Sequence, residues 1–355
     1  MLNDLADRLG SPIHALFFAQ THFYWVYLAS MVLAGFALCY LRAPEGRGRL
    51  GVALRALFPA RVFLHPSTLL DCRFVIVNHV IYAVGLGFLT LSIPAVTGAV
   101  CDGLTFLFGS QGMGARAGIY VNVLFTVVTF LVADAALFVQ HWLHHRIPFL
   151  WEFHKVHHSA EVLTPLTAER LHPVNDLVGS LVVALFVGVG NGIFLYLYPG
   201  SIAEVTLAGV NVLYFIAFTF GMHHLQHSHV WLIFPRGMRE WLFSPALHLI
   251  HHSKRPEHRH KNFGVTFAIW DRLAGTLYTP EERERETLTL GLGDSDQRQL
   301  QTVWQLYATP FHDVFRRYIG MRRRPANSIR EAEIAGPYFA GASSSALARA
   351  KTLGG

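Results

Sequence analysis

The sequence predicts an all-α integral membrane protein of about four to five transmembrane or re-entrant helices, topped by a cytoplasmic helical cap. Three observations predict it. Of 355 residues, 52% are hydrophobic and only 15% are charged, whereas soluble domains carry about a quarter charged residues. Five apolar stretches (22–41, 74–100, 117–140, 177–198 and 202–220) approach the ~20 residues that cross a bilayer. Sixteen of the 21 histidines fall between His141 and His260, where the last of these stretches give way to polar sequence.

In chain order, stretch 22–41 is followed by a loop rich in arginine: Arg42, Arg47, Arg49, Arg55, Arg61 and Arg73. The next loop, 101–116, holds Arg116 and Asp102 only. Positive charge marks the cytoplasmic side, so the first loop is expected inside and the N-terminus outside. Stretch 117–140 then ends in the cytoplasm, where His141-Trp142-Leu143-His144-His145 begins. Tyr198-Pro199-Gly200-Ser201 is a turn signal that folds 177–198 back onto 202–220. All histidine clusters thereby fall on one face. The expected domains are an anchor region with two membrane helices (1–116), a catalytic domain (117–280) and a polar, partly disordered tail (281–355).

Composition also excludes several classes. Cys39, Cys72 and Cys101 are scattered, which gives neither a disulfide framework nor a zinc or iron–sulfur spacing. The N-terminal stretch carries Asp4 and Asp7 in place of a basic n-region, so no cleaved signal peptide is expected. The net charge of +6 comes from arginines between apolar spans, which suits an anionic membrane surface and not nucleic acid.

Residues at i, i+3 and i+4 share a helix face. His154, His157 and His158 form one such set, and His248, His251 and His252 another. His141 with His145, and His223 with His227, are i,i+4 pairs. Neutral imidazole is a ligand for iron, zinc, copper and nickel. Ten imidazoles exceed one tetrahedral ion, and two metals with four or five nitrogens each fit the count. Interfacial polar groups or a lipid-headgroup patch account for any single cluster as readily as a metal does, but not for four in series with helical spacing. Asp134 lies seven residues before His141, on the same helical face, and an intramembrane carboxylate is costly to retain. It is expected to orient a ligand imidazole by accepting its N–H, with His172 as a further candidate for that support.

The order HWLHH, HKVHH, HHLQH, HLIHH resembles the fatty acid hydroxylase / sterol desaturase superfamily, from about Asp134 to Pro280. Leu150-Trp151, Arg170, His172-Pro173, Gln226-His227-Ser228, Asn262-Phe263-Gly264 and the run Trp270 to Thr276 are similar too. The chain departs from that pattern at Trp142, where arginine is usual, and at His229, where asparagine is usual. His144, His224, His258 and His260 have no firm counterpart.

The resemblance implies a non-haem diiron centre that hydroxylates an unactivated C–H bond of an acyl chain or sterol-like lipid with O2. A desaturase with the same site is the near alternative, and a membrane metal-binding or transport protein a remote one. Without GxGxxG, CxxCH or a ferredoxin cysteine run, electrons are expected from a separate ferredoxin or cytochrome type donor.

Overall fold

The computed structural model describes residues 24–84, 91–110, 117–220 and 223–318. Among these, four helices are long and apolar enough to cross a membrane: α1 (Trp25–Arg42), α3 (Pro66–Val84), α5 (Ile119–Arg146) and α7 (Pro173–Leu197). The chain is an integral membrane protein. Between α1 and α3 lies α2 (Arg49–Leu57), which buries Ala53 and Leu57. Arg42 closes α1, and its guanidinium donates to the Trp231 carbonyl at 2.6 Å, which ties the helix end to the cap.

The stretch 74–100 is not one helix. It is divided between α3 and α4 (Ile93–Phe108). Ser92 accepts the Ala95 N–H as an N-cap, and Pro94 stands in the first turn. Proline lacks the N–H that a continuing helix needs but suits a first turn, so the helix restarts there. Contacts along and just before α7 give the register. Asp71 meets Arg170, Asn78 donates to Leu171 O, and Tyr82 donates to Asp176. Further along α7, Gly188 faces Val96 and Gly192 faces Val100. The start of α3 therefore lies beside the cap, and α4 continues its path beside α7. A Cβ at Gly192 would stand 2.6 Å from Val100 Cβ, so only glycine permits this approach of two helices.

The stretch 202–220 is not one helix either. It holds a hairpin, β1 (Thr206–Leu207) paired antiparallel with β2 (Val210–Asn211), then α8 (Val212–Phe220). Ala208 and Gly209 take positive φ, 52° and 80°, as a two-residue hairpin turn requires. Nine residues of helix reach only about 14 Å, half of the ~30 Å hydrocarbon core. Val205 N and Asn211 Nδ2 both bond Thr126 within α5, at 2.8 and 2.9 Å. The path still runs the length of α5, from Ser201, which accepts from Ala117 N before that helix starts, to His227 beside His157 in the cap, and its non-helical part is tolerated because α5 satisfies its polar groups.

The cap comprises α6 (Pro148–His158), the loop to α7, and most of the chain after residue 222. Within the latter lie α9 (Pro245–His251), α10 (Ile269–Ala274) and α11 (Val303–Tyr318). One apolar core joins Leu70, Phe74 and Val156 with Leu292, Leu300 and Leu306. The charged sequence beyond residue 280 thus supplies part of the cap core. A second core joins Ala160, Leu163 and Trp231 with Ala246, Leu249 and Ile250.

Arg170 and Asp71 form an ion pair at 3.0 Å that is 1% and 0% exposed; Thr167 also donates to Asp71, and Arg170 donates to Ser67. Replacing Arg170 by Met strands a buried carboxylate, a loss of about 3–5 kcal/mol. Thermal denaturation in detergent should show a large fall for Arg170→Met and a smaller one for Arg170→Met with Asp71→Leu.

Candidate metal centre

The histidines converge because α5 and α6 meet at a sharp corner. Pro148 opens α6 two residues after Arg146 ends α5. The two boxes then face each other, with the His145 ring 4.8 Å from His154 and 4.7 Å from His158. Helix α9 brings His248, His251 and His252 against them, and His227 follows a single helical turn, His223–Gln226.

Two groups of potential ligand nitrogens result. His141, His145, His154, His158 and His251 form the first, and His157, His227, His248 and His252 the second, each within 4.8 Å of one another. Each HxxHH box serves both groups. Its i,i+4 pair (154/158, 248/252) goes to one group, and the i+3 residue (157, 251) goes to the other. The expectation that the three residues of a box point together is thereby refined: adjacent residues lie about 100° apart on a helix. In the second group Nε2 of His227 lies 3.2 Å from that of His157 and 2.8 Å from that of His248. The Nε2 atoms of His248 and His252 stand 3.1 Å apart, as do those of His145 and His158 in the first group. Nitrogens about 2.1 Å from one ion at right angles stand about 3 Å apart.

His223 is brought into neither group. Its ring lies 4.4 Å from Phe218. The helix ends at Gln226, so the i,i+4 face expected for His223 and His227 does not form.

The other ring nitrogens show how the site is aimed. In the first group His141 Nδ1 faces Phe263 O at 3.0 Å, His154 Nδ1 faces Asn175 Oδ1 at 2.8 Å, and His251 Nδ1 faces Lys261 O at 2.8 Å. These partners only accept, so Nδ1 carries the proton and donates. The lone pair is left on Nε2. The Nε2 atoms of His141, His154 and His251 are buried and bond to no described residue. A buried acceptor without a partner costs about 1–3 kcal/mol. Three of them aimed at one point, with His145 and His158 beside them, fit a metal ion, and nitrogen donors suit iron or zinc.

Segment 261–267, which carries two of the three acceptors, is itself held from three sides. Asn262 takes positive φ (59°), donates to Leu247 O and Tyr278 O, and accepts from Tyr278 N. Asp271 accepts the N–H groups of Phe263 and Gly264 at 2.9 and 2.7 Å. Asp134 accepts Thr266 N, Phe267 N and Trp270 Nε1 at 3.0, 3.2 and 2.8 Å. This corrects the expectation that Asp134 bonds a ligand imidazole, because its lone pairs are taken by the loop that holds the His141 acceptor. His172 is corrected likewise. Its Nδ1 accepts Val174 N and caps α7, and its Nε2 faces Tyr307 O. It sets the start of the helix that presents Asn175.

The cap also keeps these rings neutral. Burial pushes His154, His157, His158, His248, His251 and His252 well below the ordinary histidine range, and neighbouring imidazoles push the same way. Neutral imidazole is the form that binds metal.

The fatty acid hydroxylase family matches residues 126–276, which span every grouped histidine and the Asn175, Lys261 and Phe263 acceptors. Residues 126–276 are a fatty acid hydroxylase domain. Relatives of this hydroxylase domain include an ornithine lipid hydroxylase of Rhizobium tropici, 29% identical over 43% of this chain and 42% of that protein. An alkylglycerol monooxygenase of Xenopus tropicalis is 26% identical over 44% and 31%. The cholesterol 25-hydroxylase of Homo sapiens is 30% identical over 44% and 52%. The chain thus spans between about a third and a half of the curated relatives it matches. No solved structure matches it.

Within the hydroxylase domain, Asn175 and Asp271 carry roles that spacing alone does not disclose. Asn175 lies two residues after His172-Pro173, and Asp271 lies in the Trp270 to Thr276 run, so both stood beside recognisable signals. His144, buried with Nδ1 on Gln140 O at 2.7 Å, packs 5.3 Å from the His154 ring and joins neither group.

Two outcomes follow from this geometry. Asp134→Asn turns an amide N–H toward donors, loosens the loop and should weaken metal binding about 10–100-fold in chelator competition. His141→Ala should weaken it further. As pH falls below about 6.5, the unfolded chain takes up protons that the buried histidines refuse. The metal-free protein should therefore be most stable above that pH and lose stability on acidification, read as a falling thermal midpoint.

Proposed function

We propose that this chain is a membrane-bound non-haem diiron monooxygenase that hydroxylates an unactivated C–H bond of a lipid. The observation that carries the reading is the pair of adjacent imidazole groups, five and four, inside the hydroxylase domain. One atom of O2 enters the C–H bond and the other leaves as water, with two electrons and two protons drawn from outside. Bound iron supplies the oxidising power that side-chain acids and bases lack.

The chain's own residues do the rest. His141, His145, His154, His158 and His251 hold one ion and His157, His227, His248 and His252 the other. Phe263, Lys261 and Asn175 fix which ring nitrogens of His141, His251 and His154 would face the first ion. Aromatic rings limit water: Phe263 packs 5.0 Å from His145, and Trp151 5.1 Å from it. The centre sits at the end of α5, so a lipid chain reaches it along apolar helices without leaving the bilayer.

The active site faces the cytoplasm in this reading, because the loop after α1 exposes Arg42, Arg47, Arg55 and Arg61 on that side. A separate donor, a ferredoxin or cytochrome, docks there. The relatives named above are a hydroxylase of an ornithine lipid, a monooxygenase of alkylglycerol and a 25-hydroxylase of cholesterol, which supports lipid hydroxylation.

Purified protein should hold close to two irons per chain, and lipids of an expressing strain should gain one oxygen atom by mass. His157→Ala and His251→Ala should each abolish the product and lower metal content, while His312→Ala, exposed and outside both groups, changes neither. An active preparation with no more than one metal would sink the diiron reading.

A further inference from the structure

A cavity of about 460 Å³ lies among α1, α4, α5, α7, the β1–β2 hairpin and α8, a size typical of small-ligand sites. None of the grouped histidines lines it. Ala133 lines it two helical turns before His141, about 12 Å along α5. Phe218 lines it next to that and touches the His223 ring.

The wall is not uniformly apolar, although it lies at bilayer depth. Thr129, Asn191, Glu204, Asn211 and Tyr214 all line it. Thr129 donates to Asn191 Oδ1 at 3.1 Å, which leaves the Asn191 amide N–H groups available. The Tyr214 hydroxyl bonds to no described residue. Glu204 is the only carboxylate in the described wall, and no Lys, Arg or His lines it. Polar groups at this depth are costly unless something pairs with them.

We propose that this cavity binds the polar end of the lipid substrate, and that this end is an uncharged hydroxyl, not an anionic carboxylate or phosphate. The inference rests on the hydroxylase reading. A hydroxyl is both donor and acceptor: it donates to the Glu204 carboxylate and accepts from the Asn191 amide or the Tyr214 hydroxyl. An anion here meets Glu204 with no cation to offset it. The oxidised carbon then lies far from the polar end, at least the 12 Å that separates Ala133 from His141, on the apolar part that extends past Ala133 and Phe218.

The test uses full-length protein in nanodiscs and two photoreactive probes, a long-chain alcohol and the matching carboxylic acid, each with a diazirine near its polar end. The alcohol should label segments 183–191 and 204–218, and the acid should label them at least about tenfold less. Glu204→Gln should bring the two probes within about threefold of each other, while Asn191→Leu should cut alcohol labelling about tenfold. Metal content, measured on the same samples, should stay at the wild-type level in both variants. Equal labelling by the two probes in the wild-type protein overturns the proposal whatever the variants do. If that happens in protein that holds metal and oxygenates lipid, only the cavity assignment falls. If the alcohol preference holds in protein that oxygenates nothing, the hydroxylase reading falls and the cavity remains a hydroxyl-lipid site.

Discussion

A carbonyl oxygen that accepts an imidazole N–H decides which nitrogen of that ring can face an ion. In this protein Phe263 O and Lys261 O make that choice for His141 and His251. The loop that bears both carbonyls is held by Asp134 from α5, by Asp271 from α10 and by Asn262 from within. Each of these side chains is buried, and each spends its hydrogen bonds on backbone groups or on Trp270 and Thr276. These two rings are aimed by one backbone segment, and that segment is held in place because three buried side chains leave it no alternative partners.

The membrane part serves this arrangement by supplying length and direction. Helix α5 carries an apolar body through the bilayer and ends in His141 and His145 at the cap boundary. The break between α3 and α4 lets one part of that path pack beside the cap and the other beside α7, where glycines bring the helices together. The hairpin before α8 avoids the cost of exposed backbone by bonding α5 at Thr126. A cavity with polar walls survives at this depth because the same hairpin contributes Asn211 and the segment before it contributes Glu204.

Much of this was legible in the sequence, for identifiable reasons. Helical spacing exposes HxxxH and HxxHH directly, and hydropathy finds α1, α5 and α7. Hydropathy treats 74–100 and 202–220 as uniform, although Ser92-Ile93-Pro94 signals a restart and Ala208-Gly209 a hairpin turn. His223 was misplaced because i,i+4 reasoning assumes a helix that here stops at Gln226. The least legible parts are Lys261 O and Phe263 O, since every residue has a carbonyl and only the folded path shows which ones accept. Asp134 stood out as costly, but its partners lie more than 130 residues away, at Thr266, Phe267 and Trp270.

That distance along the chain has a consequence for how the protein matures. His141 to His158 leave the ribosome well before Lys261 and Phe263, and Asp271 and Tyr278 follow later still. Chains are made N-terminus first, at about 5–20 residues per second. For several seconds His141 exists without the carbonyl that fixes its tautomer, whereas Asn175, made soon after His154, already serves that ring. The site acquires its selectivity only when the loop after the last box closes over it. A chain truncated just after His252 would keep every grouped histidine and the Asn175 acceptor of His154, yet lack the carbonyls that orient His141 and His251.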